Sequence, residues 1–168
     1  MKYDAAIITM SDTRSQDAQL DLSGQVIEDI LTQNEWHVVY KKVIPDDYEL
    51  IRETLVYCSD TLKIPLILTT GGTGFSHRDQ TPEATKSIIE RSVPGISEAM
   101  RAMSIQITPR GMLSRSVSGL RKDSLIINLP GSPKAVQECL TYIINPIRHG
   151  IDILYDEVHN CGDQHGKS

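Results

Sequence analysis

Aromatic residues are scarce in this chain, at 5% of 168 residues with one Trp and one Phe. Stacking platforms for single-stranded nucleic acid are therefore not suggested. An excess of basic residues is also missing: 17 Lys and Arg against 22 Asp and Glu give a formal net charge of −5. That balance argues against a broad surface for a phosphate backbone, although it leaves room for a small basic pocket. Neither a nucleic acid nor a membrane is expected as partner. No apolar run reaches the roughly 20 residues that cross a bilayer, and the N-terminus has neither the basic region nor the long apolar core of a signal peptide. Cysteines are few: Cys58, Cys139 and Cys161 are odd in number and show no CxxC spacing. Reduced thiols in the cytosol are the simplest expectation. In the polar segment 156–168, His159, Cys161 and His165 do not match zinc spacings, so a polar C-terminal tail is expected there.

What remains is an ordinary mixture, 39% hydrophobic and 23% charged, long enough for one domain over residues 1–155 with a sizeable core. Ala5-Ala6-Ile7-Ile8-Thr9-Met10 is a continuous apolar run of strand length, the pattern of a strand buried on both faces of a parallel sheet. A polar loop from Ser11 follows. Leu22, Val26, Ile27, Ile30 and Leu31 then form one helical stripe, with Asp21 or Ser23 as cap. Residues 36–44 read as a second strand, closed by Pro45-Asp46-Asp47 and a helix with Ile51, Leu55 and Leu62 on its apolar side. Pro94-Gly95 separates two further helices, the second carrying Ile96, Ala99, Met100 and Met103. Residues 112–120 fit a loop or a short strand. Ser124–Leu129 is another buried strand, and Val136, Leu140, Ile143 and Ile144 give the last helix its stripe. Strands alternating with helices predict an α/β fold: a three-layer αβα domain with a mostly parallel central sheet.

The chain is organised around PLILTTGGTGFSHRDQTPEA, from Pro65 to Ala84. A short apolar strand ends in Gly71, Gly72 and Gly74, whose backbones can adopt positive φ and approach a ligand closely. Thr81 suits an N-cap, Pro82 the first helical position and Glu83 the positive end of the helix dipole. This is the layout of an anion site beyond a strand's carboxyl end, and equally of a tight glycine turn with no ligand. It is neither a Walker loop, since no Lys follows Gly74, nor the dinucleotide fingerprint, whose third glycine position holds His77. A second such turn, Pro130-Gly131-Ser132-Pro133-Lys134, has Ser132 as a good cap. Four loops thus leave strand ends on one edge. Two can cradle phosphate and two carry acids, and phosphates beside carboxylates call for a cation such as Mg²⁺. The bland reading of Asp46 and Asp47 is helix cap and first-turn acid.

TTGGTG with RDxTPEA, then Pro94-Gly95, then INLPGSPK, resembles the molybdenum-cofactor biosynthesis proteins of the molybdopterin adenylyltransferase type, from Ala5 to about Ile147. The resemblance implies AMP transfer from ATP to the terminal phosphate of molybdopterin, with pyrophosphate released. It aligns Asp46 and Asp79 with the family's two essential acids, serving Mg²⁺ and the pyrophosphate region, with Asp47 as fallback. It places Gly71, Gly72, Thr73 and Gly74 around the nucleotide phosphates. Ser11, Asp12, Ser23, Gly131 and Ser132 fall around the pterin and its phosphate, with Ser23 part of the element Asp21-Leu22-Ser23-Gly24. Lys134 and Arg78 are either part of the site or surface charges. A cytoplasmic homotrimer in contact with the molybdenum-insertion enzyme is implied as well. A non-catalytic pterin carrier on the same fold is the alternative, and the pair Asp46 and Asp79 is the feature that separates the two.

Overall fold

The computed structural model describes residues 3–12 and 21–155. The tail 156–168, its His and Cys residues, and positions 13–20 of the first loop lie outside the described residues.

All described strands join one sheet of order β2-β1-β3-β6-β5-β4. Its parallel half comprises β1 (Asp4–Met10), β2 (His37–Ile44), β3 (Leu66–Thr70) and β6 (Ser124–Leu129). β5 (Ser118–Arg121) pairs antiparallel with β6, and β4 (Arg91–Ser92) pairs antiparallel with β5 at the sheet edge. Register is set by burial: every residue of β3 and β6 is buried, and successive side chains face opposite layers. Ala5, Ile7, Leu66, Leu68, Leu125 and Ile127 point into one core with Ile27 and Leu31 of α1 (Leu22–Gln33) and Leu140 and Ile144 of α5 (Pro133–Leu154). Met100 of α4 (Pro94–Ile107) joins that layer. Ala6, Ile8, Ile67 and Ile126 point the other way, onto Ile51 and Leu55 of α2 (Tyr48–Val56) and Ala84 and Ile88 of α3 (Thr81–Ile88). The three-layer αβα fold expected from the alternation of elements is therefore present. Each fully buried Ile or Leu contributes about 1.5–3 kcal/mol relative to exposure.

Several local expectations are corrected. Leu22 is 62% exposed and Leu62 40% exposed, so neither belongs to its helix's buried stripe. Leu22 opens α1, directly after its cap, and Leu62 follows a π-turn at Tyr57–Thr61 that rotates the chain off the α2 stripe. Thr81 does not cap α3. It is the first helical residue, and its hydroxyl donates to the Gly71 carbonyl at 3.0 Å. The segment 112–120 resolves into the end of a short 3₁₀ turn, a loop and the first residues of β5.

Candidate functional site

Three caps fix where the helices start against the strand ends. Asp21 is buried and caps α1: its Oδ1 accepts from the Gly24 amide at 2.9 Å and its Oδ2 from the Thr9 hydroxyl at 2.8 Å. Asp47 caps α2, accepting from the Leu50 amide at 2.8 Å. Ser132 caps α5, accepting from the Ala135 amide at 3.2 Å. The Ser23 hydroxyl, also buried, donates to the Gly131 carbonyl at 2.7 Å. The Thr70 hydroxyl donates to the Pro130 carbonyl at 2.6 Å. Thus β1, β3 and β6 present their carboxyl ends side by side, with the two glycine turns in contact: a Cβ on Gly131 would meet the Gly71 Cα at 3.4 Å.

The turn after β3 needs its glycines. Gly71 has φ +94° and a Cβ there would meet the Met10 carbonyl oxygen at 2.4 Å. Gly72 has φ +67° and a Cβ there would lie 2.2 Å from Thr81 Oγ1 and 3.1 Å from Asp46 Oδ1. Only glycine adopts this left-handed backbone without strain and leaves the surface open.

Asp46 is the acid that looks onto this turn, whereas Asp47 is engaged as the cap. Asp46 Oδ1 is buried and has no hydrogen-bond partner. Burial raises the Asp46 carboxyl above the usual carboxylate range, and the charge of Asp12, then of Asp79, raises it further. Asp12 accepts from the Asp46 amide at 3.1 Å and from Arg78 Nη2 at 2.9 Å, with Arg78 Nε at 2.5 Å from its other oxygen. That Arg78 bond, first among the causes, holds the Asp12 carboxyl below its ordinary value. Arg78 is thereby placed at the site, while Lys134 points elsewhere, 83% exposed and 4.0 Å from Glu138 on its own helix. Asp79 Oδ2 accepts from the Ser76 amide at 2.9 Å and folds the loop back on itself. Ser11 is held by its amide, which donates to the Ile44 carbonyl at 2.9 Å.

The structure brings in one residue that belongs to no recognisable motif. Arg115, on the loop before β5, donates from Nε to the Gly74 carbonyl at 2.7 Å and from Nη2 to the Asp79 carbonyl at 2.6 Å, and Nη1 pairs with Glu83. Beyond it lies a cavity of about 620 Å³ lined in part by Lys86, Ser97, Arg101, Ser114, Arg115 and Ser116. A smaller one, of about 200 Å³, runs from Pro130 and Ala135 to Ser114 and Ser116. The only sequence signal for it was the cluster Ser114-Arg115-Ser116, which has no pattern of its own.

Among the described residues, no three His, Cys, Asp or Glu side chains gather closely enough to hold a metal ion by themselves. The partnerless Asp46 oxygen and the elevated carboxyl nevertheless fit a divalent cation that is completed by ligand phosphates, the usual habit of Mg²⁺.

A mostly parallel sheet, with a glycine turn and a carboxylate cluster beyond its strand ends, defines an α/β protein whose crevice sits at the carboxyl edge. Within that class the chain belongs to the molybdenum-cofactor biosynthesis family described as "Probable molybdopterin binding domain", whose model matches residues 6–149. It is 38% identical over 153 residues to the molybdopterin adenylyltransferase of Helicobacter pylori strain J99, covering 88% of this chain and 85% of that protein. The molybdopterin adenylyltransferase of Escherichia coli K12 is 37% identical over 151 residues, covering 86% and 77%. Among solved structures, the molybdopterin biosynthesis enzyme MoaB of Thermus thermophilus superposes with a TM-score of 0.86 at 36% identity, covering 92% of this chain and 97% of that one. Among the described residues, no helix is long and apolar enough to cross a membrane.

Proposed function

We propose that this chain is a molybdopterin adenylyltransferase, transferring AMP from ATP to the terminal phosphate of molybdopterin. The observation that carries the reading is Asp46, a carboxylate whose buried oxygen lacks a partner and whose ionisation is opposed, facing the glycine turn. A carrier on this fold has little use for such a group beside bound phosphates. A transferase does: Asp46 and Asp79 would hold a divalent cation such as Mg²⁺, which would supply neutralisation of the triphosphate charge.

In the reaction an oxygen of the pterin phosphate attacks the α-phosphorus of ATP, and the bond from that phosphorus to the β-phosphate oxygen breaks. Pyrophosphate leaves with that electron pair. The attacking phosphate is already ionised, so the chain needs no strong general base and works by placement. Gly71, Gly72, Thr73 and Gly74 surround the nucleotide phosphates. Gly131 and Ser132 lie on the pterin side, where the two cavities offer the hydroxyls of Ser114 and Ser116 and the cation Arg101. Ser11 and Asp12, expected from sequence beside the pterin, follow β1, which neighbours β3 on the side opposite β6. On this reading they belong, with Arg78, to the nucleotide side. Asp21, Ser23 and Gly24 support the site from beneath through their internal hydrogen bonds. Homotrimeric assembly, a cytoplasmic location and contact with the molybdenum-insertion enzyme complete the reading and rest on the family resemblance.

The test is pyrophosphate release. It is expected only when ATP, molybdopterin and Mg²⁺ are all present. Tight pterin binding with no pyrophosphate under any condition supports the carrier and overturns the transferase.

A further inference from the structure

We infer that Arg115 is a positioning residue that locks the glycine turn and Asp79 into one rigid frame. The inference rests on the proposed transferase reading for its catalytic consequence, and on geometry alone for the clamp itself.

The loop from Thr73 to Asp79 leaves β3 without regular structure of its own. Phe75, Ser76, His77 and Arg78 within it are exposed, Phe75 by 71%. Holding such a segment in one conformation costs backbone entropy at every residue, so something must fix it. Arg115 does so at both ends. Its guanidinium reaches the Gly74 carbonyl at the start and the Asp79 carbonyl at the finish, and the same group pairs with Glu83 in the first turn of α3. Its own amide donates to the Thr73 carbonyl at 3.0 Å, so main chain and side chain grip the same stretch. Inside that span, Asp79 Oδ2 accepts from the Ser76 amide and closes the remainder.

Three acceptors from three separate points converge on one planar group. An arginine satisfies them together because its five N–H donors form a fixed fork, whereas a lysine offers a compact charge on a flexible stem. The consequence for chemistry follows from position. Arg115 is the side chain that joins both ends of this span, so the carboxylate proposed to hold the cation and the turn proposed to hold the phosphates keep their relative placement through it. Small misplacements in a reaction driven by positioning cost large factors in rate.

The test compares wild type with Arg115→Lys and Arg115→Ala, first without substrates. Hydrogen exchange of amides 73–79 is expected to quicken at least about tenfold in both variants while strand amides keep their protection. In turnover, kcat is expected to fall about 10- to 100-fold in Arg115→Lys, with the KM for molybdopterin changing less than about threefold because the charge remains. Free guanidinium is expected to restore part of the Arg115→Ala rate. Unchanged exchange over 73–79 in both variants overturns the inference. So does faster exchange spread evenly through the sheet with a lower melting temperature, which marks Arg115 as a general stabiliser. If the wild type itself transfers no AMP, the transferase reading fails, and the exchange comparison still decides the clamp.

Discussion

Replacing Gly72 by alanine tests the glycine turn with one methyl group. The residue sits at φ +67°, where an L side chain costs about 1–2 kcal/mol. The new Cβ would also lie 2.2 Å from Thr81 Oγ1, far inside contact distance. Thr81 is fully buried and its hydroxyl donates to the Gly71 carbonyl, so it yields only by breaking that bond, at a cost of about 1 kcal/mol. Together the loss is about 2–3 kcal/mol, a fall in melting temperature of roughly 4–12 °C for a chain of this size. The Cβ would also crowd Asp46 Oδ1 at 3.1 Å, so ATP binding should weaken by more than the stability loss explains. The control is Gly150→Ala in α5, where an added Cβ meets nothing within 4 Å. There the helix should gain about 0.5–1 kcal/mol. Thermal melts followed by circular dichroism read the first effect and titration calorimetry with ATP and Mg²⁺ the second. If Gly72→Ala melts with wild type and binds ATP equally well, the reasoning about this turn is refuted.

Other outcomes follow from the same geometry. Asp79→Asn keeps an oxygen for the Ser76 amide but loses the charge. Steady-state assays should find AMP transfer abolished and pterin binding largely intact, and normal turnover would exclude Asp79 from the chemistry. Asp46 has a raised carboxyl, mainly through burial, so the stability tied to its protonated form is complete below its ordinary value of 3.8 and is lost as pH rises through the raised one. Asp46→Asn should therefore melt above wild type at neutral pH, with the gap closing in acid. A constant gap across that range argues against the assignment. Burial pushes the Cys58 thiol up to about 12 and raises Cys139 too. Mass mapping after treatment with a thiol reagent should find both unmodified until the chain is unfolded.

Much of this architecture was legible because its signals are local. The runs at β1, β3 and β6 are continuous and apolar, as strands covered on both faces must be. The cap Ser132 announces itself by residue type next to an apolar stripe, and residue type narrows the α1 cap to Asp21 or Ser23, of which the structure uses Asp21. The misses come from contacts distant in sequence. Thr81 has the residue type of a cap, yet it is claimed by a carbonyl ten residues earlier. The two-residue strand β4 has no period to detect and exists because β5 lies beside it. Arg115 reaches back 41 residues to Gly74, a pairing that only the sheet order creates. Asp46 and Asp47 were adjacent candidates, and only the fold distinguishes the one that caps a helix from the one that faces the turn.

The most direct measurement is transfer of label from α-phosphate-labelled ATP onto molybdopterin, run with and without Mg²⁺. The account predicts adenylylated pterin that carries the label, forms only with the metal and disappears in Asp79→Asn. Unlabelled pterin, bound tightly and unchanged in the presence of ATP and Mg²⁺, would contradict it and return Asp46 and Asp79 to the framework of a binding protein.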